Sequence, residues 1–172
     1  PDLKVVPHDP LNLYYLGFNN AIPPFDDVRV RQAFAYVLDQ AALLDLSFPT
    51  GTELATQLVP YSISPGRSAE LKWYTTDLEK AAALLNEAGF DFSQEISIAY
   101  QNSPMQTLYS PNTLAMAVRD QLAEIGVQAV LKPQDVSAFE KSVAEGKEMF
   151  FIHWYMVDYL DGTAFFDKPF VS

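Results

Sequence analysis

The sequence predicts an α/β fold built on a parallel βαβαβ core, with an additional strand and further helices ahead of it. Three observations carry that prediction. Between Glu95 and Trp154 the chain alternates strand, helix, strand, helix, strand, with a helix-starting or helix-stopping residue at the junctions. The last strand, Met149-Phe150-Phe151-Ile152-His153-Trp154, is a near-continuous apolar run, the pattern of a strand covered on both faces. A chain of 172 residues is also the length of one ordinary domain, enough to bury roughly 70% of its unfolded surface.

The first element, Leu13 to Phe18, reads as an aromatic strand. Pro23-Pro24 then keeps the chain extended until Asp26 or Asp27 caps a helix. Val30, Ala33, Phe34, Val37, Leu38 and Ala41 recur at three- and four-residue steps and predict one amphipathic helix over 28–46. From 49 to 75, Thr50-Gly51-Thr52, Pro60, Pro65-Gly66 and Ser68 break all periodicity and predict a long irregular connection. Thr76-Asp77-Leu78-Glu79 has the form of a capping box, and the apolar face that follows, closed by Gly89, predicts a helix over 77–88.

In the βαβαβ part, Glu95 to Gln101 alternates as a strand, and Ser110-Pro111 caps and starts a helix that runs to Ile125, where Gly126 stops it. Val127 to Lys132 is the second strand, ended by Pro133. Asp135 caps a helix to about Glu145, Gly146 terminates it, and the apolar strand 149–154 completes the unit. Two successive crossovers predict three mutually parallel strands with 95–101 in the centre. Right-handed crossovers lay the helices on the sheet and bring the carboxyl ends at Gln101-Asn102-Ser103, Lys132 and Tyr155 to Asp161 to one edge.

The charge balance excludes some functions. With 22 acidic residues, 11 scattered basic ones and a net charge of −11, the chain has no cationic face for nucleic acid, and an acidic cleft favours amines and cationic ligands. The absence of cysteine excludes disulfides, thiol nucleophiles and Cys-ligated zinc. No apolar run approaches the ~20 residues of a membrane span, and Pro1-Asp2-Leu3-Lys4 has neither a basic n-region nor an h-region. Without an initiating Met, the chain is expected to be a processed or excised piece.

Catalysis has little support in the sequence. His8 lies in a proline-flanked loop, and His153 falls inside the apolar strand, the setting of a core histidine. Neither a Ser-His-Asp arrangement, a Gly-rich phosphate loop nor an HExxH motif occurs, so no catalytic residue, metal or cofactor is expected. Asp158 and Asp161 resemble an acid/base pair only in composition, because spacing on one loop does not set the separation that glycoside hydrolysis needs. The candidate site is a binding site. Tyr155, Asp158, Tyr159 and Asp161 follow the buried strand directly, with Trp154 just before them and Asn102 at the neighbouring strand end. Aromatic walls and carboxylates at a strand terminus suit a ligand, although both aspartates also read as turn or cap carboxylates.

The block Pro23-Pro24-Phe25-Asp26-Asp27-Val28-Arg29-Val30-Arg31-Gln32-Ala33 through Asp39 resembles one found in the dipeptide- and oligopeptide-binding proteins of ABC importers, the family 5 extracellular solute-binding proteins. Tyr74 to Gly89 is similar to a second block of that family, with Tyr74, Asp77, Lys80, Ala81, Leu84, Leu85, Glu87, Ala88 and Gly89 in place. Tyr155 to Phe165 looks like its W-x-x-D-Y-x-D-P-x-x-F segment, except that Tyr155 stands at the Trp position and Gly162 at the proline. Lys132 to Phe139 resembles a fourth block in which Val136 takes the place of a tryptophan. The resemblance runs from about Tyr14 to Phe165.

That resemblance implies a periplasmic-binding-protein type II-like lobe, with residues 1–172 forming a single partial domain, a fragment of the C-terminal lobe of a two-lobe protein. It implies capture of a small solute, most simply a peptide, outside the cytoplasm, in the periplasm or anchored at the cell surface, and delivery to an ABC transporter permease. The missing N-terminal lobe would be the second jaw. By the same resemblance Asp158 accepts a peptide's α-ammonium group, and Val136 widens the pocket if it faces the cleft. The ligand-binding set is then Asp158, Tyr155, Trp154, Tyr159, Asn102 and Val136. The alternatives are a non-peptide solute such as a sugar, opine or metal chelate, and a stand-alone interaction domain using Phe165, Phe166 and Phe170.

Overall fold

The computed structural model describes residues 12–59, 73–103, 108 and 110–156. Strands are β1 (Asn12–Phe18), β2 (Glu95–Gln101), β3 (Gln128–Gln134) and β4 (Phe150–Met156); helices are α1 (Val28–Val37), α2 (Gln40–Ser47), α3 (Leu78–Ala88), α4 (Pro111–Ala123) and α5 (Val136–Ala144). They form a four-stranded sheet in the order β1-β4-β2-β3. As expected, β2 pairs in parallel with both β3 and β4 and lies between them. The chain divides into two compact units. One comprises Tyr15–Leu54 and Tyr74–His153; the other takes in the described parts of Pro1–Tyr14, Ala55–Trp73 and Trp154–Ser172. In the latter, Ala55–Val59 carries neither helix nor strand, and Val59 is buried.

Local chemistry sets most element boundaries. Asp27 caps α1 by accepting from the Arg29 N–H at 2.8 Å, Asp77 caps α3, Ser110 caps α4 with Pro111 next to it, and Asp135 caps α5. Gly89, Gly126 and Gly146 follow α3, α4 and α5 with positive φ. Four expectations need correction. The helix over 28–46 is two helices, because Asp39 accepts from the Ala42 N–H at 3.0 Å and starts α2 afresh, while its own N–H donates to Gln121 Oε1 at 2.9 Å. Asp77 rather than Thr76 caps α3, since the Thr76 hydroxyl donates to the Leu38 carbonyl instead. The helix from Pro111 ends at Ala123 rather than Ile125, closed by the Val127 N–H on the Leu122 carbonyl. Pro133 does not end the second strand but sits inside β3, opposite Tyr100; β3 is an edge strand, where a proline leaves no ladder partner unsatisfied.

The two faces of the larger unit's sheet are told apart by the parallel register. Ile98 pairs with Phe150 and Leu131, and Tyr100 with Ile152 and Pro133, so these side chains share one face. Phe150 packs there against Phe18, Phe25 and Phe34, with ring centroids 5.1 to 5.8 Å apart, and Tyr100 donates to Asn112 of α4 at 2.6 Å. This is the α1 and α4 side, and Phe25, Phe34, Tyr100 and Phe150 are all nearly inaccessible. The opposite face belongs to α5: Phe139 lies 5.2 Å from the His153 ring, which stacks on Tyr15 at 5.8 Å. Gly17 lets the strands approach there, since a Cβ would meet the Phe151 ring and force it to shift. The facing pairs Gly17–Phe151 and Tyr15–His153 show that β1 runs opposite to β4.

Candidate functional site

Strand order marks one pair of strand ends out from the others. The chain leaves β2 through α4 on one face and leaves the adjacent β3 through α5 on the other, so the two connections diverge from neighbouring carboxyl ends. That is a topological switch point, the place where open α/β sheets form a crevice. Asn102, just past β2, donates its N–H to the Gln134 carbonyl at the end of β3 at 2.8 Å. Two residues further, Val136 opens α5 and is 44% exposed. The side chain of Asn102 is exposed and has no hydrogen-bond partner among the described residues. The structure therefore ties Asn102 to Gln134, two residues before Val136. Trp154 and Tyr155 are half-buried near the carboxyl end of β4, in the other compact unit, and both make contacts. Asp158 and Tyr159, with Asp161, lie outside the described residues.

The opposite, amino edge of the parallel strands is occupied by its own chain. Asn19 donates its N–H to the Met149 carbonyl at 2.9 Å and its Nδ2 to the Gly146 carbonyl at 2.8 Å, while its Oδ1 accepts from the Ala21 N–H. A cis Pro23-Pro24 bond follows. The two arginines of the recognised block bond to nearby chain: Arg31 donates to the Phe25 carbonyl at 2.6 Å, and Arg29 reaches both Asp27 and the Glu87 carbonyl near the end of α3. Hydrogen bonds from Arg29 hold the Asp27 carboxyl below the usual carboxylate range. These residues stabilise the fold and bear no relation to the strand carboxyl ends.

Sequence reasoning missed a second charged cluster. Glu148, in the turn before β4, is only 1% exposed and accepts from Lys132 Nζ at 2.8 and 2.9 Å and from Gln134 Nε2 at 2.9 Å. Burial pushes its carboxyl up, but the hydrogen bonds from Lys132 and Gln134, with Ser142 beside them, outweigh that effect and hold it low. The available signal was that Lys132 and Gln134 stand two apart on β3 and so share its α5 face. His153 lies on that side too, with Nε2 3.4 Å from Glu140 Oε2. Among the described residues, no group of three or more His, Cys, Asp or Glu is placed to hold a metal ion, and no helix is long and apolar enough to cross a membrane.

Known proteins agree with this architecture. The chain is 32% identical over 158 residues to the dipeptide-binding protein of Escherichia coli K12, an alignment covering 91% of this chain and 29% of that protein. It is 30% identical over 148 residues to heme-binding protein A of Haemophilus influenzae, covering 86% and 27% respectively. Among solved structures, HbpA2 from Haemophilus parasuis superposes with a TM-score of 0.86 at 31% identity, over 92% of this chain and 31% of that one. The chain thus spans under a third of the length of these relatives. The model of the bacterial extracellular solute-binding proteins, family 5 (middle region), matches residues 1–172, and the chain belongs to that family.

Proposed function

We propose that this chain supplies part of one lobe of a two-lobe binding protein that captures a peptide outside the cytoplasm, in the periplasm or at the cell surface, and hands it to an ABC transporter permease. It does no chemistry on its ligand. The observation that carries this reading is the switch point between β2 and β3, where Asn102 and Val136 present exposed side chains at the carboxyl edge. The dipeptide-binding relative at 32% identity supports the choice of peptide. Asp158 accepts the ligand's α-ammonium, Trp154, Tyr155 and Tyr159 supply aromatic walls, and a second lobe closes over the site and excludes water. A charge-assisted contact of this kind contributes about 1.5–3 kcal/mol.

The test is calorimetric titration of the full-length protein with a dipeptide and its N-acetylated form. The free amine binds more tightly, and Asp158→Asn removes that preference by roughly one to two powers of ten. Equal affinities for the two forms in the wild type would sink the peptide assignment. The relative named for heme, at 30% identity, favours a second reading in which the same edge holds a metal chelate. Heme in the same titration, bound more tightly than either peptide, would establish it.

A further inference from the structure

Glu148 is the only buried charged side chain among the described residues, and it lies in the turn between α5 and β4 rather than at the open edge. Its carboxylate nevertheless gathers Lys132 and Gln134 at 2.8 to 2.9 Å. Gln134 also stands 3.3 Å from the Ser142 hydroxyl of α5, and its backbone carbonyl receives the Asn102 N–H at 2.8 Å. The next residue, Asp135, caps α5, whose first residue is Val136. A pair with one partner buried and the other exposed adds little net stability, but such pairs serve in some proteins to fix register. β3 is an edge strand with a proline in its last turn of ladder, so its end has backbone hydrogen-bonding neighbours on one side alone.

We propose that Glu148 is a positioning residue for the ligand-binding edge: by clamping Lys132 and Gln134 it fixes the end of β3, and with it the backbone bond that holds Asn102 to Gln134 at the start of α5. The inference rests on the ligand lying at that edge, as proposed above. Hydrogen exchange by mass spectrometry on the full-length protein, with overlapping fragments that isolate the Asn102 amide, tests the clamp without any ligand. The Lys80 amide, held by the distant Asp77 cap, is the reference.

Glu148→Gln accelerates Asn102 exchange by about tenfold while Lys80 keeps its wild-type rate. Lys132→Met does the same, and Lys132→Arg restores protection. Lys132 is 48% exposed, so its replacement opens no cavity in the core. Wild-type exchange at Asn102 in the Lys132→Met protein, or equal acceleration at Lys80, overturns the role of Glu148. Dipeptide titration of the same variants separates the two claims. Faster exchange at Asn102 with unchanged dipeptide affinity overturns the placement of the ligand at this edge, whereas unchanged exchange overturns the clamp itself.

Discussion

The two edges of the parallel strands differ in how their polar groups are used. At the amino edge, Asn19 and Arg31 spend their side chains on backbone carbonyls and Arg29 joins the cap of α1 to the end of α3. At the carboxyl edge, one backbone hydrogen bond joins Asn102 to Gln134, and the neighbouring side chains of Asn102 and Val136 remain exposed. The first edge is built to close on itself. Among the described residues the second leaves side chains exposed, and the proposed binding residues lie there.

Removing a residue beneath the closed edge is therefore expected to cost most. Phe34, inaccessible and packed against Phe18, Phe25 and Phe150, should lose about 3–5 kcal/mol on Phe34→Ala, measured by urea unfolding. A loss below 1 kcal/mol would mean that the aromatic cluster collapses around the gap. Arg31→Met leaves the part-buried Phe25 carbonyl without its guanidinium donor and should cost about 1–3 kcal/mol by the same measurement.

Acid distinguishes the two carboxylates. Both Asp27 and Glu148 have folded values below their unfolded ones of 3.8 and 4.5, so their stabilisation is complete above those values and is lost as pH falls through the lower folded ones. Glu148→Gln should flatten the fall of stability that begins below pH 4.5, and Asp27→Asn the part that begins below 3.8. An unchanged acid limb in either variant would contradict its assignment. The smallest effect belongs to the open edge, where Asn102→Ala should alter stability by no more than about 0.5 kcal/mol. A larger loss there would erase the contrast between the edges.

What could be read from the sequence follows the same division. Most caps and stops were legible because Asp27, Ser110, Asp135 and the glycines after α3, α4 and α5 act within a few residues of themselves. The parallel core was legible because two crossovers leave few topologies. The break at Asp39 was hidden by an apolar periodicity that runs through Val37, Leu38 and Ala41, and the long-range bond to Gln121 has no local sign. Pro133 was misjudged because tolerance of proline depends on whether β3 is an edge, which pairing decides. Glu148 drew no expectation from the sequence, because its burial depends on Lys132 and Gln134, brought to it by tertiary packing. Asn102 was named from a strand end and Val136 from the resemblance, and the opposed faces of α4 and α5 make the ends of β2 and β3 a topological switch point.

The central claim is that ligand meets the carboxyl edge between β2 and β3. Backbone amide shifts of the full-length protein, followed by NMR during titration with a dipeptide bearing a free amino terminus, test it most directly. The account predicts the largest changes at Asn102, Ser103, Gln134 and Val136, with Asn19 to Asp27 unmoved. Saturable changes centred on Asn19 to Asp27, with Asn102 and Val136 silent, would contradict it.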